Sequence, residues 1–437
     1  MKIFVTGYSG FIGSHLVSLL YRRGHQIVLA GRSKPRSTLA GMEWAQADLA
    51  VASRPADWLQ RLQGVDVVVN AVGILRESKG QTFDALHARG PAALFDACLA
   101  AGVRRVVQIS ALGADAQAQT AYHRSKKAAD DHLLQLPISS VVVQPSLVFG
   151  IGGASSQLFM RLATLPLLVV PAGGEQLIQP IHIDDLCEAL CRFAEASSID
   201  AVPVRGRVAL VGPEPITLRD YLQTLRHALG LPDAPVMSVP AAWMNVAASW
   251  VGRFPRVPLD KDSWSMLQRG NVAASDGTVA VLGRPPLSVR RFIAPSSASP
   301  LRQWAQLGWL VLLLRLSIAL VWLGTAAVSF GLYPVADSLN LLTRTGVPAS
   351  LAPFALYSAA ALDLVFGVAT LFVWRQRWLW AAQAALIVVY TLIITVRLPE
   401  FWLHPYAPML KNLPMLALLG LLYVLDTQPR REPPWNT

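Results

Sequence analysis

The chain has 437 residues, a formal net charge of +11, 53% hydrophobic residues and only 15% charged ones. That length leaves room for two or three domains, and that apolar content excludes an ordinary soluble enzyme as a description of the whole. The basic residues are scattered and several flank apolar runs, which favours a membrane partner over nucleic acid.

The first predicted element is the strand Lys2-Ile3-Phe4-Val5, so residue 2 already enters structure and no cleavable leader is expected. Thr6-Gly7-Tyr8-Ser9-Gly10-Phe11-Ile12-Gly13 follows and leads into helical spacing over Ser14–Leu20. A strand, a three-glycine turn and a helix form a phosphate-binding crossover, in which a pyrophosphate rests on the free N–H groups of the helix N-terminus. Further Val- and Ile-rich strands are expected at Gln26–Ala30, Val65–Asn70, Arg105–Ile109 and Val141–Gln144, with helices at Thr82–Ala101 and Ala121–Leu136. Near-continuous apolar strands separated by helices predict an α/β fold, a doubly wound parallel sheet covered on both faces.

The second strand ends near Ala30-Gly31-Arg32, where an NAD-specific protein has an acidic residue for the ribose 2′-hydroxyl. Arg32, Ser33 and Lys34 stand there instead, which favours the 2′-phosphate of NADP, with NAD as the alternative. Asp48 ends the next short segment, where a carboxylate can accept from the adenine amino group. Asn70-Ala71-Val72-Gly73 ends the fourth strand in small residues, as a backbone passing close to a cofactor requires. In Tyr122-His123-Arg124-Ser125-Lys126 the Tyr and Lys share one helix face. The ammonium is expected to lower the Tyr122 pKa, and Lys126 to hydrogen-bond a nicotinamide ribose. Cys98, Cys187 and Cys191 lack partners at zinc-ligand spacing, so neither a metal site nor a disulfide framework is expected.

Residues 1–293 resemble the extended and atypical short-chain dehydrogenase/reductase superfamily. The resemblance rests on the Thr-Gly-x-x-Gly-x-x-Gly turn, Asp48-Leu49, Asn70-Ala71-Val72-Gly73, Tyr122-x-x-x-Lys126, Gln144-Pro145-Ser146-Leu147-Val148-Phe149-Gly150 and Ile181-His182-Ile183-Asp184-Asp185-Leu186. Ile109-Ser110-Ala111-Leu112-Gly113-Ala114 is similar to the branch that holds the Rossmann-fold accessory subunit of respiratory complex I. The resemblance implies that Tyr122, Lys126 and Ser110 are catalytic, with Ser110 polarising a carbonyl. It further implies that Leu49, Ala71, Val72, Gly73, Pro145 and Ser146 line the cofactor alongside the glycine turn, Arg32, Ser33 and Asp48. Two departures stand out: His87 occupies the place of an Asn that props a water beside the Lys, and Ser110 lies early in its loop. Substrate contacts are expected from a small lobe at about 151–290, where Arg253, Arg256 and Lys261 could meet a substrate or anionic lipid headgroups.

Residues 294–303 read as a Pro/Ser/Ala linker. Four membrane spans are then expected at about Leu307–Phe330, Ala352–Trp374, Trp378–Val396 and Ala407–Leu425, followed by a tail at 427–437. Arg302, Arg375, Arg377, Arg430 and Arg431 lie on one side, so the positive-inside rule places both termini in the cytoplasm of an inner-membrane protein. Arg315 and Asp363 interrupt the spans at similar depth and are expected to pair. Residues 304–426 resemble the DoxX-like four-helix membrane family, on Leu314-Arg315-Leu316-Ser317 and Ala361-Leu362-Asp363-Leu364-Val365-Phe366-Gly367. The combined expectation is a membrane-anchored NADP-dependent oxidoreductase for a lipophilic carbonyl, alcohol or quinone-like substrate. The rival is a non-catalytic NADPH-binding scaffold or assembly factor of a membrane redox complex.

Overall fold

The computed structural model describes residues 1–35, 37–196, 205–244, 261–374, 376–405 and 407–426. Arg253, Arg256, Arg375, Arg430, Arg431 and the tail from 427 lie outside the described residues. The chain divides into two compact units, one running from Met1 through Ala305 and one beginning at Gln306.

The first unit is built on a seven-stranded parallel sheet. Its strands are β1 (Lys2–Thr6), β2 (Gln26–Gly31), β3 (Met42–Gln46), β4 (Val67–Asn70), β5 (Arg105–Ile109), β6 (Ser139–Pro145) and β7 (Arg205–Leu210). The order is β7-β6-β5-β4-β1-β2-β3. Strands such as Val67-Val68-Val69 are buried on both faces because helices cover both sides, which is why they read as unbroken apolar runs. The helices α1 (Phe11–Arg22), α2 (Gly90–Ala100) and α3 (Ala121–Gln135) fall where the periodicity puts them. Strand order reverses between β1 and β4, so the loops leaving those two strands diverge and open the crevice in which α/β proteins hold a ligand.

Only part of the stretch from 151 to 290 forms a separate lobe. The helices α4 (Ala154–Ala163) and α6 (Leu218–Ala228) pack Met160, Tyr221 and Leu225 against Phe149 and Phe292 in a core of their own. Helix α5 (Ile183–Glu195) and β7 return to the sheet and share its core through Leu186, Leu190 and Leu210. The residues read as a linker are helical. Helix α7 runs Pro295–Ala327, and its early residues Ala298, Leu301 and Ala305 pack on the lobe core at helical spacing. Pro295 at the first helical position loses no hydrogen bond by lacking an N–H.

The second unit carries the remainder of α7, then α8 (Val335–Arg344), α9 (Ala352–Phe372), α10 (Arg377–Arg397) and α11 (Asn412–Leu425). Among the described residues, four segments are long and apolar enough to cross a membrane: Pro295–Leu332, Ala352–Phe372, Arg377–Arg397 and Pro408–Leu425. The amphipathic α8 between the first two is an element that hydropathy alone does not reveal.

Arg315 and Asp363 do not form the expected pair. The Arg315 guanidinium donates to the carbonyls of Thr370 and Val373, both at 2.6 Å, and stands over the rings of Trp374 and Trp380 at 4.1 and 4.8 Å. The last carbonyls of α9 carry partial negative charge and have no partner within the helix, so they draw a long cationic side chain toward the helix end. Asp363 lies two turns back along α9, roughly 10 Å away by helical rise.

Candidate active site

The crevice is framed first by the glycine turn. Gly7 adopts φ +70°, and a Cβ there would lie 2.6 Å from the Ala71 carbonyl, so only glycine lets β1 pass the loop after β4. A Cβ at Gly13 would stand 2.2 Å from the Gly7 oxygen, so the first turn of α1 can close on the loop only without a side chain. Gly10 precedes α1 without a side-chain cap and the first turn holds no acidic residue. Its free N–H groups therefore suit a pyrophosphate. Ser9 and Gly10 are exposed at this edge, Ile12 is half-buried, and Phe11 packs against Gly150 and Gly153. Gly13→Ala should weaken dinucleotide binding by roughly tenfold or more by forcing the turn off the helix, measured by NADPH fluorescence titration.

At the outer end of the crevice, the Tyr8 hydroxyl donates to the Ser33 carbonyl at 2.6 Å and its ring lies on Gly31. This pins the loop after β2. Arg32, Ser33 and Lys34 are exposed there, and the carboxamide oxygen of Gln81 faces the Arg32 guanidinium. Asp48 accepts from the Ala50 N–H at 2.9 Å, while Leu49 is buried with its carbonyl close to Gly90. Ala71, Val72 and Gly73 form the opposite wall.

At the inner end stand Tyr122 and Lys126. Thr120 caps α3 by accepting from the His123 N–H at 3.2 Å, which fixes the helix start and places Tyr122 in its first turn. Lys126 is buried, and its Nζ donates to the carbonyls of Val72 and Ile109, both at 3.1 Å. Burial lowers its pKa to about 8, against the pull of the Asp130 carboxylate. The expectation for Tyr122 is reversed. Burial, and secondarily Asp130, push its hydroxyl up to about 12 rather than down, because loss of water penalises the phenolate.

His87 takes a packing role. Its Nε2 accepts from the Ile74 N–H at 2.9 Å, leaving Nδ1–H to donate to Ser125 Oγ at 3.1 Å. Burial holds the ring neutral, with a pKa of about 3. The ring also stacks on Phe83 and meets Tyr122 edge-on, with centroids 5.4 Å away in each case. His87 sits in the π-helical turn Asp84–Arg89, just before Pro91. Pro91 cannot donate to the His87 carbonyl, which suits the wider turn.

Ser110 is buried, and its hydroxyl donates to Asp130. The rest of its loop, Ala111-Leu112-Gly113-Ala114, offers no hydroxyl. Asp130 is the site residue that the motifs did not reveal. It lies one turn past Lys126, completely buried, and burial raises its pKa to about 6. Its signal in the sequence was a carboxylate continuing the Tyr122–Lys126 face at the same four-residue step. Behind it, Thr6 Oγ1 donates to Asn70 Oδ1 at 2.6 Å, and Asn70 Nδ2 donates to Gln108 Oε1 at 2.7 Å, tying β1, β4 and β5 together. Ser146 donates to the Gln179 carbonyl at 2.6 Å, and Pro145 pairs with Leu210 of β7.

Residues 3–204 match the NAD dependent epimerase/dehydratase family, and residues 319–420 match the DoxX-like family. The chain joins a Rossmann domain of that first kind to a DoxX-like membrane domain. Its similarity to an uncharacterized protein of Mycobacterium tuberculosis is 26% identity over 298 residues, 68% of this chain and 32% of that one. The chain thus spans about a third of the length of these mycobacterial relatives. It is 26% identical to a ceramide reductase of Caulobacter vibrioides, covering 55% of this chain and 78% of that one. It is 24% identical to rat NADH dehydrogenase (ubiquinone) 1 alpha subcomplex subunit 9, covering 62% and 73%. The crystal structure of UDP-glucuronic acid 4-epimerase from Bacillus cereus shares the fold at TM-score 0.52 and 17% identity, covering 70% of this chain and all of that one. The Rossmann domain is therefore of the nicotinamide-dinucleotide-binding type, and the chain is a membrane protein.

Proposed function

We propose that this protein is a membrane-anchored, NADP-dependent reductase of a lipophilic carbonyl compound, with Tyr122 as proton donor. The observation that carries this reading is the Tyr122–Lys126 face at the inner end of the glycine crevice, with Lys126 fixed on the Val72 and Ile109 carbonyls. A bound nicotinamide supplies the hydride. Everything else falls to the chain. An ammonium has three donors, and two of those on Lys126 go to backbone carbonyls, so the third is available for a ribose hydroxyl. Tyr122 keeps its proton across the neutral range, which is the state a reduction consumes at the developing alkoxide. Phe83 and His87 enclose the Tyr122 ring and limit water.

Arg32, Ser33 and Lys34 support NADP over NAD, since no carboxylate of β2 stands at that edge to hold a 2′-hydroxyl. Arg32→Ala should weaken NADPH by roughly tenfold while changing NADH little, as loss of one charge-assisted contact requires, read by parallel titrations of the two. The lipophilic substrate follows from tethering the domain to a bilayer, and the names of two relatives, ceramide reductase and 2-alkyl-3-oxoalkanoate reductase, lie in the same direction. The arginines flanking the spans support an inner-membrane protein with both termini cytoplasmic.

One observation favours the rival, a non-catalytic NADPH-binding scaffold for a membrane redox complex. The only hydroxyl at the start of the β5 loop is committed to Asp130. The deciding experiment offers long-chain ketones, aldehydes and short-chain quinones to the detergent-solubilised full chain and follows NADPH oxidation. Turnover supports the reductase. Tight NADPH binding with no oxidation across that panel supports the scaffold.

A further inference from the structure

Among the described residues, the bundle keeps four polar side chains almost wholly buried: Arg315, Asp363, Thr370 and Gln383. Three of them are accounted for. Arg315 caps α9, and Trp322 Nε1 donates to Gln383 Oε1 at 2.8 Å while Gln383 Nε2 donates to Thr370 Oγ1 at 2.9 Å. Asp363 is 4% exposed, and its buried Oδ1 has no hydrogen-bond partner among the described residues. It sits in the middle of the stripe that α9 turns inward, between Ala360 and Phe366. An ionised carboxylate left without donors at such depth costs several kcal/mol, so its persistence needs an occupant.

The surroundings select that occupant. A metal cation needs several oxygen or nitrogen ligands, and no cluster of acidic, His or Cys residues stands here among the described residues. A proton needs one oxygen and no added volume. The path to Asp363 is also one-sided. Toward the Arg315 end, Phe366 packs on Trp322 at 5.3 Å between centroids, and Gly367 presses against Leu323. Toward the other end, Tyr390 lies within electrostatic range of Asp363. Thr391, beside Tyr390, accepts from Asn412 at 2.8 Å, and Thr395, one turn on, accepts from Trp402 at 3.0 Å. Thr391 and Thr395 share one face of α10, where their hydroxyls donate to the Ile387 and Thr391 carbonyls, both at 2.7 Å, so that face is polar toward the C-terminal end of the helix.

We propose that Asp363 is a proton-binding site inside the membrane bundle, exchanging its proton past Tyr390 with the aqueous side at which α10 ends. The titratable and charged groups on the packed elements are these. Tyr357 shares α9, Arg377, Tyr390 and Arg397 are on α10, and Arg315 on α7 is held by the α9 carbonyls. Asp337 and Arg344 are on α8 with Arg344 paired to Glu400, and α11 carries Tyr423, with Lys411 and Asp426 at its two ends and Asp426 accepting from Trp380. The site is independent of the dinucleotide chemistry, so it stands or falls apart from the reductase reading.

The test is reaction of the full chain in detergent with N,N′-dicyclohexylcarbodiimide, which attacks protonated carboxyls in apolar surroundings, followed by peptide mass mapping. Labelling should map to the peptide holding Asp363 and fall by roughly tenfold per pH unit once the carboxyl ionises. It should be indifferent to exchange of sodium for choline, disappear in Asp363→Asn and slow in Tyr390→Phe. No label on Asp363 while other carboxyls react, labelling flat with pH, or suppression by sodium would each overturn the proposal. The mapping on the unmodified chain decides the matter even if Asp363→Asn does not fold.

Discussion

Tyr122→Phe should lower NADPH-dependent turnover by roughly 10²–10⁴-fold, the span a positioned general acid contributes, and leave NADPH affinity almost unchanged. The substitution removes one hydroxyl from a ring held by Phe83, His87 and His123, so the pocket should keep its shape. The pH profile gives the second half of the expectation. Tyr122, with its pKa pushed up to about 12, stays protonated through the working range and contributes no limb near neutrality. Lys126 titrates at about 8 and loses its charge as pH rises through that value. The rate constant kcat/KM should therefore be flat below pH 8 and decline above it, because an uncharged amine neither anchors a ribose as firmly nor favours the phenolate left after proton donation. Equal turnover in the Phe variant would sink the proton-donor assignment, and an alkaline limb near 10 would mean that Lys126 is not desolvated as its burial requires.

The fold was legible because its determinants are local. Strand β5 is bounded at Arg105 and Ile109 by the same residues that bound its apolar run, and the glycine turn announces β1 and α1 together. Strand β7 was not legible, since Arg205-Gly-Arg-Val-Ala-Leu alternates weakly and earns its place only by pairing with β6. Residues 294–303 misled for a related reason. Pro, Ser and Ala are linker residues by composition, but Ala298, Leu301 and Ala305 recur at helical spacing and find the lobe core. At the site, Tyr122 and Lys126 could be placed from spacing alone, whereas the direction in which Ser110 turns could not. That direction depends on Asp130, which reaches it from twenty residues away across the α3–β5 packing. Arg315 and Asp363 matched in depth on straight helices, yet a helix end with free carbonyls outcompeted a carboxylate.

Asp130→Asn should stabilise the Rossmann domain at neutral pH and damage its chemistry. Asp130 is wholly buried, and its pKa stands at about 6 against the ordinary 3.8. Below pH 3.8 the carboxyl is protonated in both folded and unfolded chains, and it costs nothing. Between 3.8 and about 6 the folded chain keeps a proton that the unfolded chain has released, so stability falls as pH rises. Above that window the loss is constant, at about 3 kcal/mol for a shift of roughly two units. An amide has no proton to lose and can still accept from Ser110, so the variant should gain up to that amount at pH 7 and nothing near pH 4. Hydrogen exchange of the β5 amides in the full chain reads this difference locally. The same change removes the carboxylate that raises the Lys126 pKa, so the alkaline limb of kcat/KM should move below pH 8. A domain that became more stable with an unmoved limb would make Asp130 a burden without a role. A domain that became less stable would mean that the ionised carboxylate, through Lys126 and Ser110, holds β5 to α3 more strongly than its burial opposes it.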